Sequence, residues 1–278
     1  MDRELQSKVE KLHFLLKSYG CVAVAFSAGV DSTVLLKAAK ETLGTEQVMA
    51  LTVQSSLVSA ADVEEAVTFC REEGIRHEVI PIDPLIYYDV RTNPPQRCYF
   101  CKRLIFGRMR EIIGQKNIVH LLDGSNVDDG QDYRPGRQAL RELGVLSPLL
   151  EAGLTKADIR AYAKELGLSV AQKPSAACLA SRLPYGEVLS IEKLQRIEQA
   201  ENFLHAKGFS QLRVRSHADM ARLELLPEDI ERFIADGTYQ KAVAKLKELG
   251  FAYVTMDLEG YRMGSMNEVL RETEYAKE

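Results

Sequence analysis

The chain has 278 residues, and its 46% apolar and 27% charged content is typical of a globular protein of about two domains. Its net charge of −4 gives no overall attraction for nucleic acid, and it has no long apolar run that could span a membrane. An odd number of cysteines, five, argues against a disulfide framework, and the first residues do not resemble a signal peptide. We therefore expect a cytoplasmic protein.

The longer, N-terminal part of the chain alternates helix and strand patterns. The uninterrupted apolar run 21–26 predicts a strand buried on both faces, and apolar residues at helical spacing predict a helix over 31–40 directly after it. Such alternation is typical of an α/β fold with a parallel sheet and right-handed crossovers. The other predicted helices cover 1–19, 62–73, 97–114 and 155–166, and the other predicted strands cover 47–53, 77–82, 118–123 and, as a short fifth strand, 145–149.

A change of pattern in the last third of the chain predicts a second domain. A long helix is followed by two alternating segments, 211–217 and 220–226, which are typical of a hairpin of half-exposed strands. Two short helices and a last strand over 251–257 complete a smaller α+β unit. The predicted domains are residues 1–185 and residues 186–278.

The turn between the first buried strand and its helix is Ser27-Ala28-Gly29-Val30-Asp31-Ser32. Gly29 allows backbone angles closed to other residues, and the N–H groups at a helix start bind phosphate. The alternative is an ordinary turn with a Ser or Asp cap. A second glycine turn, Gly124-Ser125-Asn126-Val127-Asp128-Asp129, follows another buried strand. Two such turns at strand ends favour the phosphate site.

The first turn resembles the pyrophosphatase loop of N-type ATP pyrophosphatases, Ser-Gly-Gly-x-Asp-Ser, with Ala28 in place of the first glycine. That substitution requires only an unstrained backbone at residue 28. The resemblance implies a doubly wound parallel sheet and the cleavage of ATP, bound with Mg²⁺, to AMP and pyrophosphate. The ATP-binding residues it implies are Phe26, Ser27, Gly29, Val30, Asp31, Ser32, Val53, Gly124 and Asp128.

Three cysteines lie outside the predicted core. Cys98 and Cys101 are a Cys-x-x-Cys pair at a predicted helix start, and Cys178 is far along the chain. Three thiolates without an obvious fourth ligand suit a [4Fe–4S] cluster with one open iron better than tetrahedral zinc. A redox pair or three unrelated thiols are the alternatives. Cys21 and Cys70 fall on apolar faces and are expected to be core residues.

Several stretches together resemble the LarE family of ATP-dependent sulfur transferases, which act in the biosynthesis of a nickel-pincer nucleotide. They are Ser27–Ser32, Asp132–Gly136, Ser181–Gly186, Arg213–Arg215, Ala221–Glu224 and Tyr261–Asn267. The resemblance covers nearly the whole chain. It implies that one carboxylate of pyridinium-3,5-biscarboxylate mononucleotide is adenylated and then converted to a thiocarboxylate. It also implies a homo-oligomer, and we expect no nucleic-acid partner.

Two branches of that family use different sulfur sources. One sacrifices its own cysteine, at the position of Cys178, and the other holds a [4Fe–4S] cluster on three cysteines. Because this chain has Cys98 and Cys101 as well as Cys178, it resembles the cluster branch. Lys102 would neutralise phosphate or carboxylate charge, with an exposed helix lysine as the alternative. The implied catalytic residues are Cys178, Lys102 and Asp31.

Basic side chains gather on the predicted hairpin. Strand alternation places Arg213, Arg215 and His217 on one face, which suits a substrate with two carboxylates and a phosphate. A solvated sheet face is the alternative. The resemblance implies six substrate-binding residues, Ser181, Arg182, Glu201, Arg213, Arg215 and Glu224.

Other functions fit parts of the sequence. Some tRNA thiolases combine a similar loop with three cysteines, but such proteins usually carry a basic surface or an RNA-binding module, and we see neither. A non-catalytic sensor of ATP or of an iron–sulfur cluster is a second alternative. An amidating ligase is a third, although we see no glutaminase segment that could supply ammonia.

Overall fold

The computed structural model describes residues 1–130, 135–174, 177–262 and 264–268. Of the stretches singled out above, Asp132, Tyr133, Arg134 and Met263 lie outside these ranges. The chain divides into two compact units. The first comprises Met1–Pro84 and Gln96–Ala176, and the second comprises Leu85–Pro95 and the described residues from Ala177 onward. No helix in the described ranges has the length and apolar character needed to cross a membrane.

The regular elements follow the predicted order closely. In the described ranges the helices are α1 Arg3–Tyr19, α2 Val30–Leu43, α3 Ala60–Glu72, α4 Tyr88–Arg91, α5 Arg97–Gln115, α6 Gly136–Glu142, α7 Pro148–Glu151, α8 Lys156–Glu165, α9 Ile191–His205, α10 Pro227–Ala235 and α11 Thr238–Glu248. The strands there are β1 Val22–Ala25, β2 Val48–Gln54, β3 Arg76–Pro81, β4 His120–Leu122, β5 Leu212–His217, β6 Met220–Leu225 and β7 Tyr253–Met256.

The first unit is built on a parallel sheet with strand order β3-β2-β1-β4. Val22 and Val24 belong to a core formed with α1, α2, α3 and α8, whereas Ala23 between them belongs to a core formed with α5 and α6. Helices therefore cover both faces of the sheet, and the predicted doubly wound α/β fold is confirmed. The strand order reverses at β1, where ligands of such sheets bind beyond the carboxyl ends of the strands.

The predicted fifth strand over 145–149 is wrong. Leu146 makes only an isolated parallel bridge to Leu122, and helix α7 begins directly afterwards at Pro148. Proline has no N–H to donate to a strand neighbour but fits the first position of a helix. The chain therefore leaves the edge of the sheet after one bridge.

The second unit contains a three-stranded sheet with the order β5-β6-β7. Strands β5 and β6 form the predicted antiparallel hairpin, and β7 runs parallel to β6. The expectation that β5 is half-exposed is wrong, because Arg213 and Arg215 on its polar face are 7% and 8% exposed. Alternation of residue types correctly predicted that β5 has one apolar and one polar face, but residues on both faces are buried.

Candidate active site

The turn after β1 is anchored to β2. The backbone N–H of Phe26 donates to the carbonyl of Leu51 at 2.8 Å, and the Thr52 hydroxyl donates to the carbonyl of Phe26 at 2.8 Å. The hydroxyl of Thr52 also contacts Nε2 of His77 at 2.9 Å. The residues that follow Phe26 therefore leave the sheet from a fixed point.

The strained residue of this turn is Ala28 rather than Gly29. Ala28 has φ +53°, in the left-handed region that favours glycine, whereas Gly29 has φ −81°. The expectation of an unstrained backbone at residue 28 is therefore wrong. The carbonyl of Ala28 accepts a hydrogen bond from Nζ of Lys173 at 3.1 Å, and Lys173 also pairs with Asp62 at 2.9 Å. These contacts hold the turn in its strained conformation.

The start of α2 is open to an anion. Its N-cap is Gly29, which provides no side-chain cap, so an ordinary Ser or Asp cap does not account for this turn. The Ser32 hydroxyl bridges the turn, since it accepts from the N–H of Ser27 at 3.3 Å and donates to the carbonyl of Gly29 at 3.1 Å. Helix N–H groups without a cap, together with the helix dipole, favour phosphate binding.

The turn after β4 packs directly on the first turn of α2. A Cβ atom on Gly124 would lie 3.0 Å from the backbone nitrogen of Ser32 and 3.3 Å from Cβ of Asp31, so any larger residue would push the two turns apart. Nδ2 of Asn126 donates to Oδ1 of Asp31 at 3.4 Å. The two glycine turns predicted from the sequence are therefore neighbours.

These strand ends surround a cavity of about 430 Å³ within the first unit, a size usual for small-molecule sites. Lys102 lies on its wall, together with eight of the nine residues predicted to bind ATP: Phe26, Ser27, Gly29, Val30, Asp31, Ser32, Val53 and Gly124. Asp128 is not among the lining residues. Its Oδ2 accepts a hydrogen bond from the backbone N–H of Lys156 at 2.7 Å, at the start of α8.

Lys156 is a cavity residue that was not predicted from the sequence. Its Nζ lies 2.5 Å from Oδ2 of Asp31, and its side chain lines the cavity. Thr155 was correctly predicted to begin α8, where it forms a capping box with Asp158, but that pattern indicates only the start of a helix. The lysine after a cap is usually a solvated residue, and its proximity to Asp31 depends on the fold.

The donor set of the cavity fits ATP. Lys102 and Lys156 supply positive charge for phosphates, and the apolar side chains of Leu51, Val53 and Met109 supply a surface for a purine. The carboxylates of Asp31, Asp62, Asp123 and Asp129 also line the cavity, and one or two carboxylates together with substrate phosphates are the usual ligands of Mg²⁺.

The predicted cluster ligands belong to different units. Cys98 and Cys101 are half-buried, three residues apart in the first turns of α5, and Cys178 is exposed in the second unit. Among the described residues, no group of three or more His, Cys, Asp or Glu side chains is arranged to hold a metal ion. Cys70 is a core residue as predicted, and burial raises the pKa of its thiol to about 12.

Buried ion pairs characterise the second unit. Arg182 makes a two-point ion pair with Glu201, with Nε to Oε1 at 2.9 Å and Nη2 to Oε2 at 2.8 Å. Arg215 pairs with Glu224 in the same way, at 2.9 and 2.8 Å. The four side chains are at most 9% exposed, so the alternative of a solvated sheet face does not hold.

The charges of these pairs also act on their neighbours. Burial alone would lower the pKa of Arg182, but its pairing with Glu201 raises that pKa. Burial, together with the positive charge of Arg182, lowers the pKa of Arg213, whose guanidinium lies over the ring of Tyr261 at 5.2 Å. This part of the second unit therefore carries closely spaced positive charge.

Comparison with known proteins gives matches over both units. A family model described as NAD synthase matches residues 2–117. An uncharacterized protein of Synechocystis sp. is 39% identical over 266 residues, which cover 96% of this chain and 99% of that protein. An uncharacterized protein of Methanocaldococcus jannaschii is 30% identical over 244 residues, which cover 87% of this chain and 90% of that protein.

A third relative that matches over nearly the whole chain has a stated activity. The pyridinium-3,5-bisthiocarboxylic acid mononucleotide synthase of Lactiplantibacillus plantarum is 36% identical over 272 residues, which cover 98% of each chain. The glycine turns at the switch point of the sheet and the cavity beside them agree with this similarity. The chain therefore belongs to the family of this synthase, the LarE family of proteins with a pyrophosphatase loop, or PP-loop.

Proposed function

We propose that this protein is an ATP-dependent sulfur transferase that converts a carboxylate of pyridinium-3,5-biscarboxylate mononucleotide to a thiocarboxylate. The observation that carries the proposal is the cavity at the strand ends, where an uncapped helix start and two lysines meet carboxylates. Similarity over 98% of both chains to the synthase of L. plantarum supports the choice of substrate.

The first half-reaction is adenylation. A carboxylate oxygen of the substrate attacks the α-phosphorus of ATP, and the bond from that phosphorus to the pyrophosphate oxygen breaks. The N–H groups at the start of α2, with Lys102 and Lys156, stabilise the charge that collects on the departing pyrophosphate. Mg²⁺ bound with the nucleotide would supply further positive charge, and Asp31 is the carboxylate best suited to hold it because it lies in the first turn of α2.

The second half-reaction replaces the activated oxygen by sulfur. A sulfur nucleophile attacks the acyl carbon of the adenylate, and AMP leaves with the electron pair of the bond that breaks. We propose that the sulfur comes from a [4Fe–4S] cluster on Cys98, Cys101 and Cys178. Such a cluster would supply a sulfide at its open iron. Two thiols one helical turn apart beside Lys102 support this source.

The alternative sulfur source is Cys178 itself, and the exposure of this residue favours it. Its thiolate would form a thioester with the substrate as AMP leaves. Loss of the Cα proton and cleavage of the Cβ–S bond would then release the thiocarboxylate and leave dehydroalanine. This route needs no iron–sulfur cluster and consumes one chain per sulfur transferred.

Substrate recognition is proposed for the second unit. Its residues implied by the resemblance are Ser181, Arg182, Glu201, Arg213, Arg215 and Glu224, and closely spaced arginines support a substrate with carboxylates and a phosphate. Homo-oligomerisation and a cytoplasmic location stay predictions from the sequence.

Pyrophosphate release tests the proposed function. With ATP and the biscarboxylate mononucleotide we expect pyrophosphate and AMP. With the same mononucleotide carrying carboxamides instead of carboxylates we expect neither, because an amide offers no carboxylate oxygen for the attack. Equal release with both compounds would contradict the proposal. Release that requires bulk tRNA would instead identify an RNA-thiolating enzyme.

Iron and sulfide analysis of anaerobically purified protein tests the sulfur source. The cluster proposal predicts about four irons per chain, and it predicts that Cys98→Ala abolishes both iron binding and thiocarboxylate formation. Protein without iron that loses the mass of one hydrogen sulfide at Cys178 during turnover would overturn the cluster and identify the cysteine itself as the donor.

A further inference from the structure

The segment that carries Cys178 has little regular structure of its own. In the described range from Ala177, it consists of one 3₁₀ turn, Leu179–Arg182, with Cys178 at its N-cap position. Cys178 is exposed, whereas Leu179 and Ala180 after it are buried. A short segment of this kind fixes a thiol in one place only if other groups hold its backbone.

Arg182 is the first of two side chains that bind the backbone of this segment. Two of its nitrogens are used in the pair with Glu201, and the third, Nη1, donates to the carbonyls of Ala177 at 2.6 Å and Cys178 at 3.1 Å. The same nitrogen contacts the Ser181 hydroxyl at 3.0 Å. The guanidinium therefore connects the carbonyl of the cysteine itself to a carboxylate that is anchored in helix α9.

Arg215 repeats this arrangement from the neighbouring strand. Its Nε and Nη2 pair with Glu224, which is fully buried in β6, and its Nη1 donates to the carbonyl of Ser181 at 2.6 Å. Nη2 also donates to the hydroxyl of Ser265 at 2.8 Å. In both arginines two nitrogens face a buried carboxylate. The remaining nitrogen donates to backbone carbonyls of residues 177–182, which we call the Cys178 turn.

We propose that Arg182–Glu201 and Arg215–Glu224 are positioning pairs, which hold the backbone on both sides of Cys178 and so present its thiol in one orientation. The inference rests on the proposed function only in giving Cys178 a role in sulfur transfer, and it applies to both sulfur sources. It gives these four residues a positioning role in place of the direct substrate contact that the resemblance implies, and it leaves Ser181 and Arg213 as proposed substrate contacts. Their donors are directed to protein oxygens, and a buried pair of this kind is not needed for stability alone.

Accurate placement of a reacting group is worth a large factor in rate. A misplacement of about 1 Å can cost about 100-fold, because the orientation that the protein fixed in advance is lost. The pairs should therefore affect the sulfur-transfer rate more than the affinity for substrate. A residue that binds substrate directly would change KM instead.

The test uses Arg182→Lys and Arg215→Lys, which keep the charge opposite each glutamate but lose the planar fork. The double variant Arg182→Met/Glu201→Gln removes the pair and keeps an acceptor for the N–H of Val214, which now donates to Glu201 at 2.9 Å. Arg196→Lys is the matched control. Arg196 also donates to turn carbonyls, those of Gly250 and Ala218, but none belongs to the Cys178 turn.

Two readouts need no substrate, namely hydrogen exchange of the amides in 177–182 and the rate at which iodoacetamide alkylates Cys178. We expect the Arg182 and Arg215 variants to raise exchange there by about tenfold and to change the alkylation rate, and Arg196→Lys to change neither. In turnover, kcat for thiocarboxylate formation should fall about tenfold while KM stays within about twofold.

Unchanged exchange and alkylation in folded variants would overturn the inference, as would equal changes in Arg196→Lys or a rise in KM at constant kcat. If the double variant does not fold, the two lysine variants still decide. A wild-type protein that makes no thiocarboxylate would refute the proposed function, whereas exchange and alkylation would still decide whether the pairs hold the turn.

Discussion

The two units differ in how far solvent reaches their functional ion pairs. In the first unit, Asp31 and Lys156 pair on the wall of a cavity with 24% and 28% of their side chains exposed. In the second unit, the side chain of Glu224 is fully buried and that of its partner Arg215 is 9% exposed. A pair that a ligand can reach is able to exchange partners when phosphate or Mg²⁺ arrives. A pair without solvent access fixes the backbone around it, because separating its charges is costly.

Removal of a buried carboxylate should have the largest effect. Glu224→Gln leaves Arg215 without a charged partner, and we expect it to lower the free energy of unfolding by about 3–5 kcal/mol. Chemical denaturation measures this change. The matched variant Glu111→Gln breaks the exposed pair with Arg108, in which the side chains are 51% and 64% exposed, and should cost at most about 0.5 kcal/mol. Equal losses in both variants would contradict the difference between the two kinds of pair.

Removal of the cavity carboxylate should affect the reaction and not the fold. Asp31→Asn is expected to reduce pyrophosphate release by about 100-fold, since the carboxylate proposed to hold Mg²⁺ at the reacting phosphates is lost. Its free energy of unfolding should change by less than about 1 kcal/mol because the residue is partly solvated. Asp219→Asn, at an exposed hairpin position, is the control and should leave release unchanged. A strongly destabilised Asp31→Asn protein would contradict the assignment of Asp31 to an exchangeable pair.

Lys156 should have a smaller effect on the same reaction. Lys156→Met removes one of the two lysines on the cavity wall, and a charged hydrogen bond to phosphate is worth about 1.5–3 kcal/mol. We therefore expect pyrophosphate release to fall by about 10- to 100-fold, with partial recovery in Lys156→Arg. Steady-state measurements at varied ATP concentration test this. Full activity of Lys156→Met would show that the lysine only neutralises Asp31.

Replacement of two strained alanines by glycine should change the free energy of unfolding by a still smaller amount. Ala28 and Ala218 have φ values of +53° and +51°, a conformation that glycine adopts without strain. Ala218 is exposed, so Ala218→Gly should raise the free energy of unfolding by about 1 kcal/mol. Ala28 is 1% exposed, and Ala28→Gly also loses a buried methyl group worth about 0.8 kcal/mol. We therefore expect it to be nearly neutral. A large loss in Ala218→Gly, measured by denaturation, would contradict this assignment of strain.

Acidification should modestly lower the free energy of unfolding of both units. Burial lowers the pKa of His13 and His77 in the first unit and of His217 in the second. The unfolded chain takes up protons near the ordinary histidine pKa of 6.5, before the folded protein does, so stability falls as the pH falls below that value. Melting temperatures between about pH 7 and pH 5 measure the slope, and His77→Gln should flatten it. A melting temperature that rises on acidification would contradict these shifts.

The sequence was sufficient for the parallel sheet and the turn after β1. Buried strands such as 21–26 are uninterrupted apolar runs, and helices such as α1 have a clear apolar face, so their patterns are local. The fifth strand was mispredicted because an apolar run beside the sheet gives the same local pattern. Pro148, which begins α7, was the local sign against it.

The remaining features depend on long-range packing. Lys156 lies 125 residues from Asp31 along the chain, and nothing in the sequence near either residue indicates that they meet. The alternation in β5 predicted which side chains share a face, but not that Glu201 of α9 accepts a hydrogen bond from the N–H of Val214 in this strand. The strain at Ala28 was missed because a glycine follows it, and a turn with one glycine gives no sign of which residue has positive φ.

Quantification of pyrophosphate and thiocarboxylate in the same reaction, for wild type and for Cys178→Ala, tests the account most directly. With ATP, a sulfide source and the biscarboxylate mononucleotide, we predict that wild type forms both products, the second detected by the mass change of oxygen to sulfur. Cys178→Ala should form pyrophosphate without thiocarboxylate, because the chemistry of the cavity is intact and the sulfur step is lost. Thiocarboxylate formation by Cys178→Ala, or no pyrophosphate from the wild type, would contradict the account.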